Sequence, residues 1–333
     1  ASWMIYKQTN IGLDFSFFKE VLSGSVDVFN EDVTGTPVKR VDISSIIGIA
    51  VPFTNAGISN NRGADLVLKL QKPYSKNWSA YIKTMATFTK NKIVYQSEVI
   101  RDNPWEVRTG LPIGQPFGLI AAGFFKDAAE IAASAKSSYE ANLKPGDVKY
   151  VDQNKDGLID FRDDVAIGKP FNPEVFYSAE LGFKYKHFEI NALFTGSESR
   201  SILLHNYEVF RSFLPASARP TDYILNNRWT PATAATATMP RLTTVANSHN
   251  YRNSTLWLTN GNFVRLKSLE IAYNLSNNAL KKLGMKTGTI FVNGCNLATW
   301  SVVPEVDPEG PSAGIQNDYP MLKVVNVGFK LNL

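Results

Sequence analysis

Apolar and polar residues alternate along several stretches of the chain. Between Trp3 and Phe17 most odd positions are apolar, as at Ile11, Leu13 and Phe15, whereas the even positions are mainly polar. The same alternation recurs over residues 64–71, 77–88, 175–194, 268–275 and 325–333. Successive side chains of a β-strand point to opposite faces, so the pattern predicts strands with one apolar and one polar face.

Alternation alone fits a soluble β-sandwich as well as a β-barrel, because both have strands with one wet face. Three features favour a barrel. The strands are about ten residues or longer, against about five or six in ordinary sheets. Their polar faces carry full charges, as at Asp65, Lys69 and Lys330. Short turns also alternate with long loops. We therefore predict an all-β fold, a transmembrane antiparallel β-barrel.

The long connections are expected on the extracellular side and cover about 32–54, 93–172, 198–260 and 301–318. If the C-terminus lies in the periplasm, counting back from it gives about nine strands, which cannot close an even-numbered barrel. We therefore expect the C-terminal portion of a larger barrel, with an N-terminal plug and the first strands absent.

Composition narrows the function classes. The net charge is +5, but Lys and Arg are scattered, which argues against a nucleic-acid partner. The single cysteine, Cys295, excludes an internal disulfide, and three His residues without paired spacing argue against a zinc site or a catalytic triad.

No apolar run is long enough for a transmembrane helix, and the one clearly helical segment is Lys126–Lys136. We expect no enzyme and no organic cofactor.

The stretch KYVDQNKDGLIDFRDDVAIG, residues 149–168, has the spacing of a calcium-binding loop. Oxygen-bearing side chains at alternating positions surround a glycine at the turn, and an Asp stands at the last position, where such loops usually have Glu. The same composition also fits a turn without an ion. The candidate Ca²⁺ ligands are Asp152, Asn154, Asp156, the Leu158 carbonyl, Asp160 and Asp163.

Eight segments, in order, resemble the C-terminal part of the SusC/RagA family of TonB-dependent outer-membrane transporters. The most specific is residues 146–178, GDVKYVDQNKDGLIDFRDDVAIGKPFNPEVFYS. The others are NAGISNNRGADLVL (55–68), FGLIAAGFFKDAAEIAAS (117–134), NNRWTP (226–231), GNFVRLKSLEIAYNLS (261–276), GTIFVNGCNLATWS (288–301), DPEG (307–310) and YPMLKVVNVGFKLNL (319–333). Members often end in an aromatic residue, whereas this chain ends in Leu333.

The resemblance implies a plugged barrel of about 22 strands in the bacterial outer membrane. It implies import of oligosaccharides or peptides, driven by a TonB complex that acts through the missing N-terminal part. It also implies a SusD-like surface lipoprotein that sits on the extracellular loops. A calcium ion in the loop would stiffen a surface near that partner.

Two other functions stay open. A siderophore or cobalamin receptor has the same architecture without the lipoprotein, although the length of the loops favours the form with it. A soluble glycan-binding calcium β module is the second alternative.

Some side chains are candidates for contacts with cargo or lipid. Loop aromatics can stack on sugar rings, and the weak candidates for substrate binding are Trp105, Tyr207, Trp229 and Tyr251. Arg265 and Lys267 fall on the apolar face of their predicted strand, where they would reach lipid headgroups.

Overall fold

The structure is a computed structural model. It describes residues 3–41, 53–75, 77–206, 210, 221–245, 247–275, 285–303, 305–310 and 321–332. Tyr207, one of the predicted cargo residues, lies outside these ranges.

Strands dominate the described residues. In chain order they are β1 (Ile5–Phe17), β2 (Leu22–Lys39), β3 (Phe53–Ser75), β4 (Trp78–Tyr95), β5 (Phe117–Gly118), β6 (Ala121–Phe124), β7 (Lys136–Ser137), β8 (Val148–Tyr150), β9 (Leu158–Ile159), β10 (Val165–Ala166), β11 (Val175–Tyr185), β12 (Phe188–Glu198), β13 (Ser201–Leu203), β14 (Leu258–Asn260), β15 (Phe263–Asn274), β16 (Thr287–Ser301) and β17 (Val324–Asn332). The helices are α1 (Ala128–Ala133) and α2 (Asp222–Asn227), with 3-10 turns at Pro104–Glu106, Phe161–Asp163 and Leu204–Asn206.

Nine of the strands form one sheet in the order β1-β2-β3-β4-β11-β12-β15-β16-β17. Every neighbouring pair in this sheet is antiparallel. Each strand therefore pairs with the next long strand along the chain, as in an up-and-down barrel wall. The prediction of an all-β fold with about nine antiparallel barrel strands is confirmed.

The register sorts side chains onto two faces. Phe183, Ile190, Ile271, Val292 and Val327 stand opposite one another on five adjacent strands. All five are exposed, which is the arrangement of a lipid-facing wall rather than a soluble core. We call this side of the sheet the outer face.

The opposite side, which we call the lumenal face, is polar. Asn191, Glu270, Asn293 and Asn326 form a continuous row across four adjacent strands there. The Asn326 side-chain amide Nδ2 donates a hydrogen bond to Asn293 Oδ1 at 3.0 Å. A row of amides and a carboxylate suits a wet lumen.

The buried core lies mainly in the two longest connections, residues 96–174 and 199–262. These connections interleave, because the Leu119 N–H donates to the Asn253 carbonyl and the Thr255 N–H donates to the Leu119 carbonyl. We call the packed structure that they form the loop layer. One of its two apolar clusters contains Leu119, Val148, Tyr150 and Ile159. The other contains Ile202, Leu203, Leu204, Phe210, Met239 and Trp257.

Two element boundaries differ from the sequence prediction. Strand β2 continues to Lys39, where a loop was predicted from residue 32. A register shift between Thr34 and Thr36, with Gly35 at φ 78°, breaks the alternation that would have revealed the longer strand. The predicted helix Lys126–Lys136 is only Ala128–Ala133, because the chain becomes extended at Ser134 and then pairs as β7.

Among the helices that the structure describes, none is long and apolar enough to cross a membrane.

Candidate functional site

The predicted calcium loop folds as a tight turn held by its own side chains. The Gly157 N–H donates to Asp152 Oδ2 at 2.8 Å, and the Leu158 N–H donates to Asp156 Oδ1 at 2.9 Å. Asp163 is buried and accepts the N–H groups of Gln153 and Asp160 at 2.8 and 2.9 Å. The loop therefore brings most of the predicted ligands into one turn.

The fit of this turn to Ca²⁺ depends on Arg162. Asp152 Oδ1 is buried without a hydrogen-bond partner and could accept a cation. However, the Arg162 guanidinium lies 2.7 Å from Asp156 Oδ2 and 2.9 Å from Asp160 Oδ2. No group of three or more acidic, His or Cys side chains within the described ranges converges as a metal site. Arg162 would have to move before both carboxylates could bind an ion, and calcium binding stays a prediction.

The described cargo candidates make internal contacts in the loop layer. The Trp105 indole N–H donates to the Arg162 carbonyl at 3.0 Å. Tyr251 stacks on Trp257, with ring centroids 5.4 Å apart. Trp229 is buried and packs so closely on Gly146 that a Cβ at residue 146 would lie 2.3 Å from the indole. These contacts give Trp105, Trp229 and Tyr251 packing roles, and cargo binding by them stays a prediction.

Arg265 lies on the lumenal face, not on the outer face where the sequence pattern placed it. A bulge between Leu266 and Ser268 shifts the register, so that residues before it exchange faces relative to residues after it. The Arg265 side chain is buried, and its Nε donates to Thr299 Oγ1 at 3.0 Å. The prediction that Arg265 reaches lipid headgroups is wrong.

Two arginines hold residues 305–310 over the lumenal face. Arg265 pairs with Asp307 and, at 2.7 Å, with Glu309 Oε2. The Arg200 guanidinium donates to the backbone carbonyls of Pro308 and Gly310 at 3.0 and 3.1 Å. The motif DPEG was identified in the sequence, but its arginine partners were not, since they lie about 40 and 110 residues away along the chain.

Beneath this segment lies a lumenal cavity of about 760 Å³. Part of its wall is a row across four strands, in which Thr87 stands opposite Phe176, Phe176 opposite Ser197, and Ser197 opposite Phe263. The Ser197 hydroxyl is buried without a hydrogen-bond partner, as is the neighbouring Thr195 hydroxyl. The cavity thus offers aromatic faces beside hydroxyl groups that are free to bind a ligand.

These cavity residues carry no clear signal in the sequence. Small hydroxyl side chains on a polar strand face have no distinguishing pattern, and Phe176 and Phe263 depart from the alternation that defines the apolar face. A phenylalanine on the polar face of a long strand was the one available signal.

A buried polar network joins the two connections of the loop layer. Asp147 is fully buried and pairs with Arg241, whose Nε lies 2.7 Å from Asp147 Oδ1. The Asn250 amide donates to the same oxygen at 2.9 Å. Because both partners belong to the second connection, the network locks the connections together.

His249 lies beside this network and is buried. Its Nε2 is 2.7 Å from the Val148 carbonyl oxygen, and its Nδ1 is 2.8 Å from Ser137 Oγ. Burial lowers the pKa of His249. With only 1% of its surface exposed, His249 cannot reach a substrate, and the Ser–His pair is a packing contact rather than a catalytic one.

A long antiparallel sheet with an apolar outer face, a polar lumenal face and a packed loop layer at one end defines a β-barrel membrane protein. The chain is homologous, along almost its whole length, to TonB-dependent receptors. It is 25% identical over 326 residues to TonB-dependent receptor P26 of Formosa agariphila, covering 94% of this chain and 32% of that relative. It is 24% identical over 329 residues to TonB-dependent receptor SusC of Bacteroides thetaiotaomicron, covering 97% and 31%.

Solved structures agree on the fold. A structure of the RagAB peptide transporter superposes with a TM-score of 0.75 at 21% identity, covering 99% of this chain and 36% of that chain. The RagAB peptide importer in its open-open state gives a TM-score of 0.73 at 22% identity, covering 100% and 35%. No family model matches the chain. The predicted resemblance to SusC- and RagA-type transporters is confirmed, and the chain spans about a third of the length of these relatives.

Proposed function

We propose that this chain forms part of the barrel wall of a TonB-dependent transporter that imports oligosaccharides or peptides across the bacterial outer membrane. Homology to TonB-dependent receptors supports the class. The observation that carries the proposal is the lumenal cavity, because an importer must offer its cargo a wet surface on the inside of the barrel.

The chemistry of the cavity suits a neutral polar ligand that has apolar patches. Phe176 and Phe263 present rings on which a sugar or an apolar side chain can pack. Ser197 and Thr195 can exchange hydrogen bonds with hydroxyl or amide groups that the ligand brings. Oligosaccharides and peptides both combine these features.

The loop layer suits a partner on the outside of the cell. A SusD-like surface lipoprotein needs a fixed docking surface, and the interleaved connections with their buried Asp147 network supply one. The matched RagAB structures are described as a peptide transporter and importer, which makes peptides one cargo class to test. A TonB complex would act through parts of the protein outside this chain.

The test uses cells that carry the full-length protein as their route for an oligosaccharide series or a casein digest as sole nutrient. Two single variants, Ser197→Val and Phe176→Ala, should each slow growth on the true cargo at least severalfold, because each change removes a contact in the cavity. Phe183→Ala on the outer face is the matched control.

Normal growth of both cavity variants, at normal outer-membrane levels, would contradict the proposed role of the cavity. A growth defect that free iron or cobalamin repairs would instead indicate the siderophore or cobalamin class.

A further inference from the structure

The outer face of the sheet changes character toward the end with the long connections. There the register aligns Thr9, Asn30, Arg62 and Lys90 in one row across four strands. The next row contains Lys7, Asp32, Asn60 and Lys92. We call Arg62, Lys90 and Lys92 the basic patch.

The basic patch lies directly beyond apolar residues of the same face. Val28, Ala64 and Phe88 stand opposite one another, two residues from Asn30, Arg62 and Lys90 along their own strands. A strand rises about 3.3 Å per residue, so the two rows lie roughly 7 and 13 Å beyond Phe88. Cations at that distance from a lipid-facing apolar band are at the depth of lipid headgroups.

The charges of the patch are not neutralised by neighbouring carboxylates. Asp32 is the one carboxylate in these two rows of described residues, and it accepts hydrogen bonds from the amides of Asn60 at 2.8 Å and Asn30 at 3.5 Å. In the parts of the chain that the structure covers, the recorded ion pairs involve neither Arg62 nor Lys90 nor Lys92. The surface therefore keeps a net positive charge.

A cleft of about 380 Å³ is formed over the patch. Its floor includes the patch residues, and its wall includes Gly110 and Pro112. The wall is fixed to β4, because the Gly110 N–H donates to the Ile93 carbonyl at 2.8 Å and the Ile93 N–H donates to the Leu111 carbonyl at 2.9 Å. The cations thus line a cleft with a fixed wall rather than a flat surface.

The carboxylate of Glu98 lies next to the segment that forms the wall of the cleft. Its carboxylate accepts the N–H groups of Arg108 and Thr109 at 2.9 and 3.0 Å, together with the Thr109 hydroxyl. These bonds hold the Glu98 oxygens against the wall segment. Asp32 also lines the cleft, and these two constrained carboxylates do not outweigh the three cations of the basic patch.

We propose that this cleft binds the phosphate-bearing headgroup of an anionic lipid in the outer leaflet of the membrane. An arginine and two lysines supply the donors that a phosphate monoester requires. The apolar residues below the cleft receive the acyl chains of the same molecule, which a soluble anion would leave uncovered. The inference depends on the barrel fold and its placement in the outer membrane, and it is independent of the cargo.

The test measures binding to the purified full-length protein in detergent. The probes are bisphosphorylated lipid A, its dephosphorylated form and inorganic phosphate. The variant combines Arg62→Gln, Lys90→Gln and Lys92→Gln. The control combines Lys69→Gln, Lys83→Gln and Lys184→Gln, which removes the same charge from the lumenal face.

We expect the unaltered protein and the control to bind bisphosphorylated lipid A at least ten times more tightly than the patch variant does. The dephosphorylated lipid and inorganic phosphate should bind weakly to all three proteins. Equal binding of bisphosphorylated lipid A by the patch variant and the control, both folded by circular dichroism, would overturn the inference. Inorganic phosphate or the dephosphorylated lipid binding as tightly as bisphosphorylated lipid A would overturn it too. Because uptake is not the readout, failure of the inference is distinguishable from failure of the transport proposal.

Discussion

At the scale of single residues, the buried Arg265 guanidinium determines how residues 305–310 are held. A buried cation is stable only when anions and hydrogen-bond acceptors surround it, and Arg265 has Asp307, Glu309 and Thr299. The partners are more exposed than the arginine, so solvent screens part of each attraction. The segment is therefore fixed mainly by the need to satisfy Arg265.

Replacing Arg265 with Gln should release residues 305–310 from the lumenal face. The change leaves two carboxylates without their main partner. It should destabilise the docked position of residues 305–310, relative to a detached one, by about 2 kcal/mol. Limited proteolysis should then cut this segment at least tenfold faster. Lys267→Gln is the control, because the exposed Lys267–Glu309 contact of 3.4 Å contributes little. Equal cleavage of the two variants would contradict the role of Arg265.

Acidification should loosen the loop layer through His249. Burial lowers the pKa of His249 in the folded protein below its unfolded value of about 6.5, so the unfolded state takes up the proton first. The stability that neutral His249 contributes is therefore present above about pH 6.5 and is lost as the pH falls below it. Amide protection factors around residues 148–150 and 249–257, which correct for the slower intrinsic exchange at lower pH, should therefore fall between pH 7.5 and pH 5.

Asp164 changes the stability of the loop layer with pH in the opposite direction to His249, so the two contributions must be measured separately. Burial raises the pKa of Asp164 to about 6, so its contribution to stability is present at low pH and is lost as the pH rises through that value. In the Asp164→Asn variant, acid loosening should be larger than in the unaltered protein. In the His249→Gln variant it should be absent. Unchanged acid loosening in His249→Gln would show that another group is responsible.

At the scale of elements, β-bulges mark the limit of what alternation can predict. Period-two patterns mark seven of the nine barrel strands, all but β2 and β16, because the requirement for one apolar face repeats at every second residue. A bulge inserts one extra residue into a strand and has no recognisable sequence pattern. Side chains beyond the bulge therefore point to the face opposite to the one that the alternation predicts. That is why Arg265 was placed on the wrong face, and why the end of β2 was missed at Gly35.

The packing of the loop layer bears on how the cargo candidates were chosen from the sequence. An aromatic residue in a long connection is expected to be available to ligands when the connection is assumed to be open. These connections have an apolar core of their own, in which Trp229 and Tyr251 are packing residues. Their folding depends on pairings about 100 residues apart, such as Asp147 with Arg241, which no local pattern reveals.

Within the loop of residues 152–163, Arg162 and Ca²⁺ should compete for the same carboxylates. Replacing Arg162 with Gln removes the cation from Asp156 and Asp160 and should tighten Ca²⁺ binding about tenfold. Asp152→Asn should weaken it, because Asp152 carries the free buried oxygen. Isothermal titration of the full-length protein and chelator-dependent proteolysis of residues 149–168 measure both effects.

If neither variant nor the unaltered protein responds to Ca²⁺ or to chelator, the loop is a turn without an ion, in which Arg162 pairs with Asp156 and Asp160. In that case, replacing Asp152 and Asp156 with Ala should still loosen the turn, since their hydrogen bonds to Gly157 and Leu158 would be lost.

At the scale of the whole molecule, the two edges of the nine-stranded sheet set a condition on how it can exist in a membrane. Strands β1 and β17 each pair on one side within the described residues. Hydrocarbon offers no hydrogen bonds, so every unpaired backbone N–H or C=O group at a lipid-exposed edge costs several kcal/mol. An apolar outer face alone therefore does not make this sheet stable in a bilayer, and in the proposed larger barrel β1 and β17 would each pair with a further strand.

Residues 1–333 expressed alone should not refold as a monomer in detergent, whereas the full-length protein should. We expect the isolated chain to form oligomers or aggregates in which edge strands pair between copies. Light scattering coupled to size-exclusion chromatography measures the assembly. Amide exchange at β1 and β17 then reports whether the edges are paired. A monodisperse monomer of the isolated chain with protected amides on both edge strands would mean that β1 and β17 pair within one copy. The sheet would then close on itself with nine strands, and its proposed place in a larger barrel would lose its physical basis.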